Sequence, residues 1–430
     1  MRVHFRLLLL SIFSFSFSQN IVSGQQTSIS SKEVIQPETD KIFDTLIKAR
    51  RTLHENPELA GKEKLTQAFI KQYLQNLGLE VQTSLYGYSV IGILKGAKKG
   101  RKIAWRADMD ALPNDFPDKV DFKSKVKGVQ HGCGHDVHMA IALGIAEVLA
   151  KKKNDLHGTV YFIFQPEEET FVGAKKMIEN GLLSQIAPDE IYALHVTALP
   201  AGQIMVKQNE VFAYQKRVRI ELKNNLSAEQ IKELTNKIYT ALSRAQAGTK
   251  PWEIQHITDP KIGLANPNTI FKDYLIMDAK FSNRSKNDTL SLEAELYETE
   301  AANLKTILPK IKQVIESSGY SNQLLSLSFT RENPTVMNNP KLTDIAIKTL
   351  ERIYGKELLI PDYGQVPFFN DDFAFFQQKI PGVYFLLGGS NVEKGIIALN
   401  HAPNFQVDEA CIKTGVNSFS SLIIERLNNK

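Results

Sequence analysis

Thr159 to Phe164 is an unbroken run of apolar, aromatic and β-branched residues, and it closes on Gln165-Pro166-Glu167-Glu168-Glu169. A strand without a polar face suits a sheet covered on both sides, which calls for helices between its strands. The surrounding sequence supplies them. Arg101 to Arg106 reads as a strand that delivers Asp108 and Asp110 at its end. From His138 a helix follows, with Ile141, Ala142, Ile145, Ala146 and Leu149 as its apolar stripe. Gly173 to Glu179 is a helix stopped at Gly181, and Ile191 to Leu194 is a further buried strand leading into His195. The expected class is α/β with a parallel sheet. Ligands of such sheets bind beyond the carboxyl ends of the strands, where Asp108, Asp110, Glu168, Glu169 and His195 are expected to lie. Taken alone, the two aspartates serve equally well as turn formers or helix caps.

Between these strands stands His131-Gly132-Cys133-Gly134-His135-Asp136-Val137-His138. One thiol and three imidazoles flank two glycines, which turn a backbone tightly enough to aim neighbouring side chains at one point. Metal-assisted hydrolysis needs such donors and a carboxylate beside them to take a proton from water. The density of donors therefore reads as a metal site rather than as a buried cysteine among surface histidines.

The rest of the chain places this site in a larger architecture. At 430 residues the expectation is about two domains. Helices are read from Lys41 to His54 and from about Glu63 to Leu77, with strand between Val81 and Leu94. Past Gly202 the pattern changes, because Arg217 to Leu222 alternates as a half-exposed strand and Ser227-Ala228-Glu229-Gln230 is a capping box opening a helix. Strands near Thr269–Phe281 and Thr289–Leu296 and a helix at about Thr299–Ser317 complete a small α+β unit. We expect a catalytic domain from residues 38–206 and 323–430, with 207–322 inserted as a lid or dimerisation domain. A helix from Lys341, a strand at Gly382–Leu387, the donor His401 and a last helix from Glu409 return the chain to the first domain.

Apolar content of 43% and charged content of 23% are those of an ordinary globular protein. The net charge of +5 falls to +3 without Arg2 and Arg6, too weak and too scattered to suggest a nucleic-acid partner. Those two arginines precede the apolar run Leu7–Phe17, and Ser16-Phe17-Ser18 has the small residues that a signal peptidase reads. Residues 1–18 are expected to be a cleaved signal peptide and 19–37 a flexible leader, leaving an exported protein, periplasmic or extracellular, with no membrane span. Cys133 lies among metal-type donors and Cys411 in an apolar-periodic segment, so no disulfide is expected between them.

Several motifs resemble the di-metal aminoacylase and carboxypeptidase family, in its branch of hippurate hydrolases and indoleacetyl-amino-acid hydrolases. They are Arg50-Arg51-Thr52-Leu53-His54-Glu55-Asn56-Pro57-Glu58, Arg106-Ala107-Asp108-Met109-Asp110-Ala111-Leu112-Pro113, the Cys133-Gly134-His135-Asp136 motif, Gln165-Pro166-Glu167-Glu168-Glu169, Ala193-Leu194-His195, Asp371-Asp372-Phe373 and His401-Ala402-Pro403-Asn404-Phe405. The resemblance implies that Cys133, His135, Glu169, His195 and His401 hold two divalent metal ions, zinc or manganese. Glu168 would be the general base, and Asp110 would sit behind the metals and orient the site. His131, His138 and Asp136 are expected to hydrogen-bond the ligands, and His54 and His157 to serve packing or face solvent. The implied reaction is hydrolysis of the amide bond of an N-acyl amino acid or small peptide, in a homodimer formed through the small domain.

One departure sets up the alternative. The family carries a Gly-Gly-His sequence in its small domain, whose histidine stabilises the oxyanion; here the place reads Leu222-Lys223-Asn224-Asn225-Leu226-Ser227. The Asn-Val-Ile-Pro motif reads Asn268-Thr269-Ile270-Phe271, with Arg284 standing for its downstream arginine. An oxyanion donor is worth about 10²–10³ in turnover. The competing reading is a metal-binding protein of the same fold with a degenerate lid and little turnover, against which the intact Glu168 argues. A cysteine peptidase using Cys133 is a more distant third.

Overall fold

The computed structural model describes residues 31–428; the expected signal peptide and the leader before Ser31 lie outside them. Two sheets organise the chain. The larger has eight strands, in the order Glu80–Thr83, Val90–Lys95, His157–Gln165, Lys98–Asp108, Glu190–Pro200, Gly382–Ser390, Ile204–Met205 and Leu359–Ile360. Its centre is parallel, from His157–Gln165 across to Gly382–Ser390. Val90–Lys95 and Ile204–Met205 pair antiparallel with the two outer members of that block, so the sheet is mixed rather than wholly parallel.

The apolar run at Thr159 behaves as a doubly covered strand must. Phe162 and Phe164 enter one core with Trp105, Phe385 and Phe419, under the helices Ser31–Glu55, His135–Ala150 and Ala410–Asn428. Tyr161 and Ile163 enter a second core on the opposite face, with Ala193, Met177, Phe373 and Tyr384.

The first helix corrects the expected leader. It begins at Ser31, not near Glu38, and it contains Pro37. Ile35 is fully buried in line with Ile42, Leu46 and Leu53, so the apolar stripe runs back through the Ser- and Gln-rich stretch. Burial of that stripe outweighs the one backbone donor that the proline removes.

The second sheet is antiparallel, in the order Arg244–Ala245, Tyr274–Met277, Thr289–Glu298, Tyr214–Lys223 and Leu324–Arg331, with Ser282–Lys286 also on Thr289–Glu298. Val218, Ile220 and Leu222 face the helices Ala228–Leu242 and Ala301–Ser317 in a core of their own. The capping box is formed: Gln230 N donates to Ser227 Oγ at 3.3 Å and Ser227 N to Gln230 Oε1 at 2.8 Å. Ser227→Ala is expected to cost about 1 kcal/mol, read as a lower denaturant midpoint at unchanged slope.

Two expected boundaries shift. Leu324–Arg331, assigned from sequence to the catalytic segment, pairs with Tyr214–Lys223, so the chain leaves the second sheet only after Arg331. The strand expected over Thr269–Phe281 shrinks to Tyr274–Met277. Much of the irregular segment before it packs on the large domain, with Ile257, Leu264, Ile270 and Phe271 buried in the core beneath the parallel strands.

Candidate metal centre

Neighbouring strands bring the predicted residues together. Asp110 follows the strand Lys98–Asp108, and the Glu168-Glu169 pair follows the adjacent parallel strand His157–Gln165. On the other side the last pair with Glu190–Pro200 is Arg106 with Ala193, so His195 stands two residues beyond it while its own strand runs on to Pro200. The helix His135–Ala150 opens at His135, after Gly134 in a left-handed conformation at φ 100°. A Cβ on Gly134 would lie 2.3 Å from Val196 Cγ1, so the glycine lets the Cys133–His135 turn press against the His195 strand. His401 comes from a distant loop fixed to the same turn. Its backbone N–H donates to Gly132 O at 3.0 Å, and Asn400 Nδ2 donates to the carbonyls of Cys133 at 2.8 Å and Val196 at 3.1 Å.

The side chains converge. Cys133 Sγ lies 3.3 Å from His195 Nε2 and 3.1 Å from His401 Nε2. Glu169 Oε1 is 3.3 Å from His401 Nε2, and His135 Nε2 lies 3.9 Å from Glu169 Oε1 and 3.8 Å from Glu168 Oε2. Among the described residues five groups of donors have their ligand atoms within 4.8 Å of one another; two are built on Cys133, with His135 and His195 and with Glu169 and His401, and a third joins His135, Glu168 and Glu169.

Buried partners set these side chains. The Asp110 carboxylate accepts from the backbone N–H groups of both Glu168 and Glu169 at 3.0 Å, while its carbonyl oxygen lies 2.7 Å from His135 Nδ1. One residue thus orients the glutamate turn and fixes a histidine ring. His138 spans from Asp108 Oδ1, at 2.6 Å, to Val196, whose N–H donates to its Nε2 at 2.9 Å. The expectation that His131, His138 and Asp136 hydrogen-bond the ligands is not met, since the partners of His138 are Asp108 and the Val196 backbone. Asp136 is taken by Arg50 at 2.7 Å and His54 at 2.9 Å, and neither ring nitrogen of buried His131 has a partner. His54 is a buried link between Asp136 and Asp118, not a solvent-facing residue.

The donor set fits divalent cations, because the protein alone leaves it unsatisfied. His135 Nε2 and Glu169 Oε1 are buried without a hydrogen-bond partner. Burial, with the carboxylates of Glu169, Glu168 and Asp108 around it, pushes the Cys133 thiol well above its ordinary range. His135 is raised as well: burial opposes its charge, but Asp108 and Asp110 override it and raise the imidazole to about 10. Burial and the charges of Asp371, Glu169 and Asp372 likewise raise Glu168 well above the carboxylate range, against the pull of Arg106. A cation supplies the positive charge that these groups lack.

Glu168, Glu169, Cys133, His195 and His401 line one wall of a cavity of about 330 Å³. Phe171, Phe369, Ile257 and Leu264 supply an apolar wall, and Gln215, Arg331 and Asn333 enter from the strand ends that join the two domains. Arg284 is exposed on Ser282–Lys286 and does not line this cavity. Sequence reasoning missed Arg331, which lies in a segment assigned from sequence to the catalytic domain and not read as a strand. It also missed Arg106, whose signal was a charge inside an apolar strand. Cys133 and Cys411 are both free.

A cation-binding cluster with an adjacent buried carboxylate, set at the strand ends of an α/β sheet, defines a metal-dependent hydrolase. The family model described as Peptidase family M20/M25/M40 matches residues 104–425, and the chain belongs to that family, whose members hydrolyse amide bonds. It is 33% identical over 407 residues to thermostable carboxypeptidase 2 of Saccharolobus solfataricus, spanning 92% of this chain and 99% of that one. It is 30% identical to the N-acetylcysteine deacetylase of Bacillus subtilis, spanning 90% and 98%. The solved structure of a dinuclear metal binding peptidase of the M20 family, the YXEP protein of Bacillus subtilis, superposes with a TM-score of 0.73 at 27% identity, covering 91% of this chain and all of that one. The centre accordingly takes two divalent metal ions.

Proposed function

We propose that this chain hydrolyses the amide bond of an N-acyl amino acid or small peptide, with Cys133, His135, Glu169, His195 and His401 holding the two cations and Glu168 as general base. The observation that carries the reading is the convergence of these five donors beside the buried carboxylate of Glu168, with all but His135 on the wall of one cavity. When bound, the cations lower the pKa of a coordinated water and polarise the scissile carbonyl. Glu168 takes a proton from the attacking water on its carboxylate and returns it to the leaving nitrogen, so that water is added across the C–N bond. Asp110, bonded to both glutamate amides, keeps the base and its neighbouring ligand in register. The names of two relatives, a carboxypeptidase and an N-acetyl amino acid deacetylase, support this substrate class.

Metal analysis of the purified chain with a screen of N-acyl amino acids and dipeptides tests the reading. Two equivalents of zinc or manganese and turnover of at least one such substrate are expected. Metal binding without turnover would favour the binding-protein alternative.

Export and dimerisation belong to the same proposal. Export rests on the basic and apolar segment ahead of Ser18, and a mature chain whose N-terminus still reads Met1 would refute it. Dimerisation through the small domain rests on the edge strand Leu324–Arg331, where Leu325 is 49% exposed. Light scattering at the mass of one chain would refute that.

A further inference from the structure

Positive charge that is scattered along the sequence is gathered by the fold at one end of the large domain. Residues 95–102 carry Lys95, Lys98, Lys99, Arg101 and Lys102 with no acid, and residues 151–157 carry Lys151, Lys152 and Lys153 with the single acid Asp155. These two segments hold +7 where the whole chain holds +5, so all the rest is net −2. We infer that this end is a peripheral docking surface for an anionic lipid membrane, one that holds the chain with its metal centre facing away from the bilayer.

Backbone pairing brings the two segments together. Ala97 N donates to Lys153 O at 3.1 Å, Lys98 N to Leu156 O at 3.2 Å and Gly96 N to Gly158 O at 2.9 Å. A Cβ on Gly158 would lie 1.9 Å from Arg101 O, so the approach depends on a glycine there. Lys98, Lys99, Lys102 and Lys153 are exposed, and none of their ammonium groups is paired with a described residue. Exposed cations of one sign repel one another, and a surface of opposite charge relieves that repulsion.

The position of the patch suits a membrane. It stands at the amino ends of Lys98–Asp108 and His157–Gln165, which run parallel, whereas the donor cluster follows their carboxyl ends. The 11 residues of the first of these strands hold patch and metal centre roughly 30 Å apart, so contact at one leaves the other open. Lys151 Nζ lies 3.7 Å from Glu38, about two turns into the helix Ser31–Glu55, so that helix begins beside the patch. The segment ahead of Ser31 therefore joins the described chain at this end, and its sequence holds Arg2, Arg6 and the apolar run Leu7–Phe17. Among the described residues no helix is long and apolar enough to cross a membrane, and the contact argued here is one of surface charge. The plainer alternative is that Lys151–Lys153 only complement the carbonyl end of the helix His135–Ala150 and the other lysines only keep the chain soluble. The two differ in whether charge at this place, rather than charge in total, holds the chain on lipid.

Co-sedimentation of the purified full chain with vesicles tests this. At about 0.1 M salt the chain should bind vesicles of phosphatidylglycerol mixed into phosphatidylcholine about 100-fold more tightly than vesicles of phosphatidylcholine alone. That preference should vanish near 1 M salt, where the screening length falls to about 3 Å. The triple variant Lys98→Gln, Lys99→Gln, Lys153→Gln should lose most of the preference, and the same three positions changed to Arg should keep it. Lys232→Gln, Lys305→Gln, Lys310→Gln removes equal charge from exposed positions on the two helices of the small domain and should bind as wild type. The docking surface is overturned if both Gln triples weaken binding equally, if the first triple binds as wild type, or if neutral vesicles are bound as tightly as anionic ones. Retention on double-stranded DNA without binding to anionic vesicles would overturn lipid as the occupant.

Discussion

Glu168→Ala is expected to lower turnover by about 10²–10⁴ while metal content stays near two equivalents. The side chain lies 3.8 Å from His135 Nε2, is 5% exposed and lines the cavity, yet it belongs to neither of the two groups built on Cys133. Its loss removes the proton acceptor and leaves those donors intact. Glu169→Ala is the contrasting case, because its carboxylate stands with Cys133 and His401, and elemental analysis should find depleted metal. A Glu168→Ala chain that keeps wild-type turnover on a cleaved substrate would remove the base from the mechanism.

Arg106→Met should be the most destabilising single change in the large domain. The guanidinium is fully buried and donates to Asp108 at 2.6 Å and to Asp372 at 3.0 Å, lies 3.0 Å from Asp371, and donates to Gln165 at 2.9 Å. These contacts tie the strand that precedes Asp110 to the strand that precedes Glu168 and to the Asp371-Asp372 turn. Without the arginine, buried carboxylates lose their counter-charge, a cost of about 3–5 kcal/mol and a fall in melting midpoint of roughly 10 °C. Even in the intact protein, burial raises Asp372 to about 8 against the pull of Arg106. Losing the cation raises the folded-state values of these carboxyls further above their unfolded ones. Groups raised in this way favour folding at low pH and lose that contribution as pH rises through the folded value. The deficit of the variant should therefore be smaller at pH 5 than at pH 8, and an equal deficit at both would show that packing, not charge, is what the methionine disturbs.

The sequence was most readable where one physical demand acted alone. Thr159–Phe164 had to be covered on both faces, and Ser227 with Gln230 had to cap a helix; both appear as expected. The donor cluster was readable because Cys133 and His135 need metal-type surroundings to stand so close together. Leu324–Arg331 was misplaced because its alternation is broken by a bulge at Thr330, and because a strand's partner is chosen by the other strand, here Val218, Ile220 and Leu222. Pro37 concealed the start of the first helix, where local preference opposed burial of Ile35. Arg331 carried no local signal, since the bulge that brings it to the cavity is not revealed by any spacing of residues.

Cys133 stands in both donor groups. Under the proposed ligand set, one thiol would serve both groups, so the loading of two cations would be a linked equilibrium rather than two separate ones. The thiol proton that burial retains would have to leave for Cys133 to hold either cation. A change at Cys133 would therefore reach both cations at once, whereas a change at His195 or His401 would touch only one of the two groups.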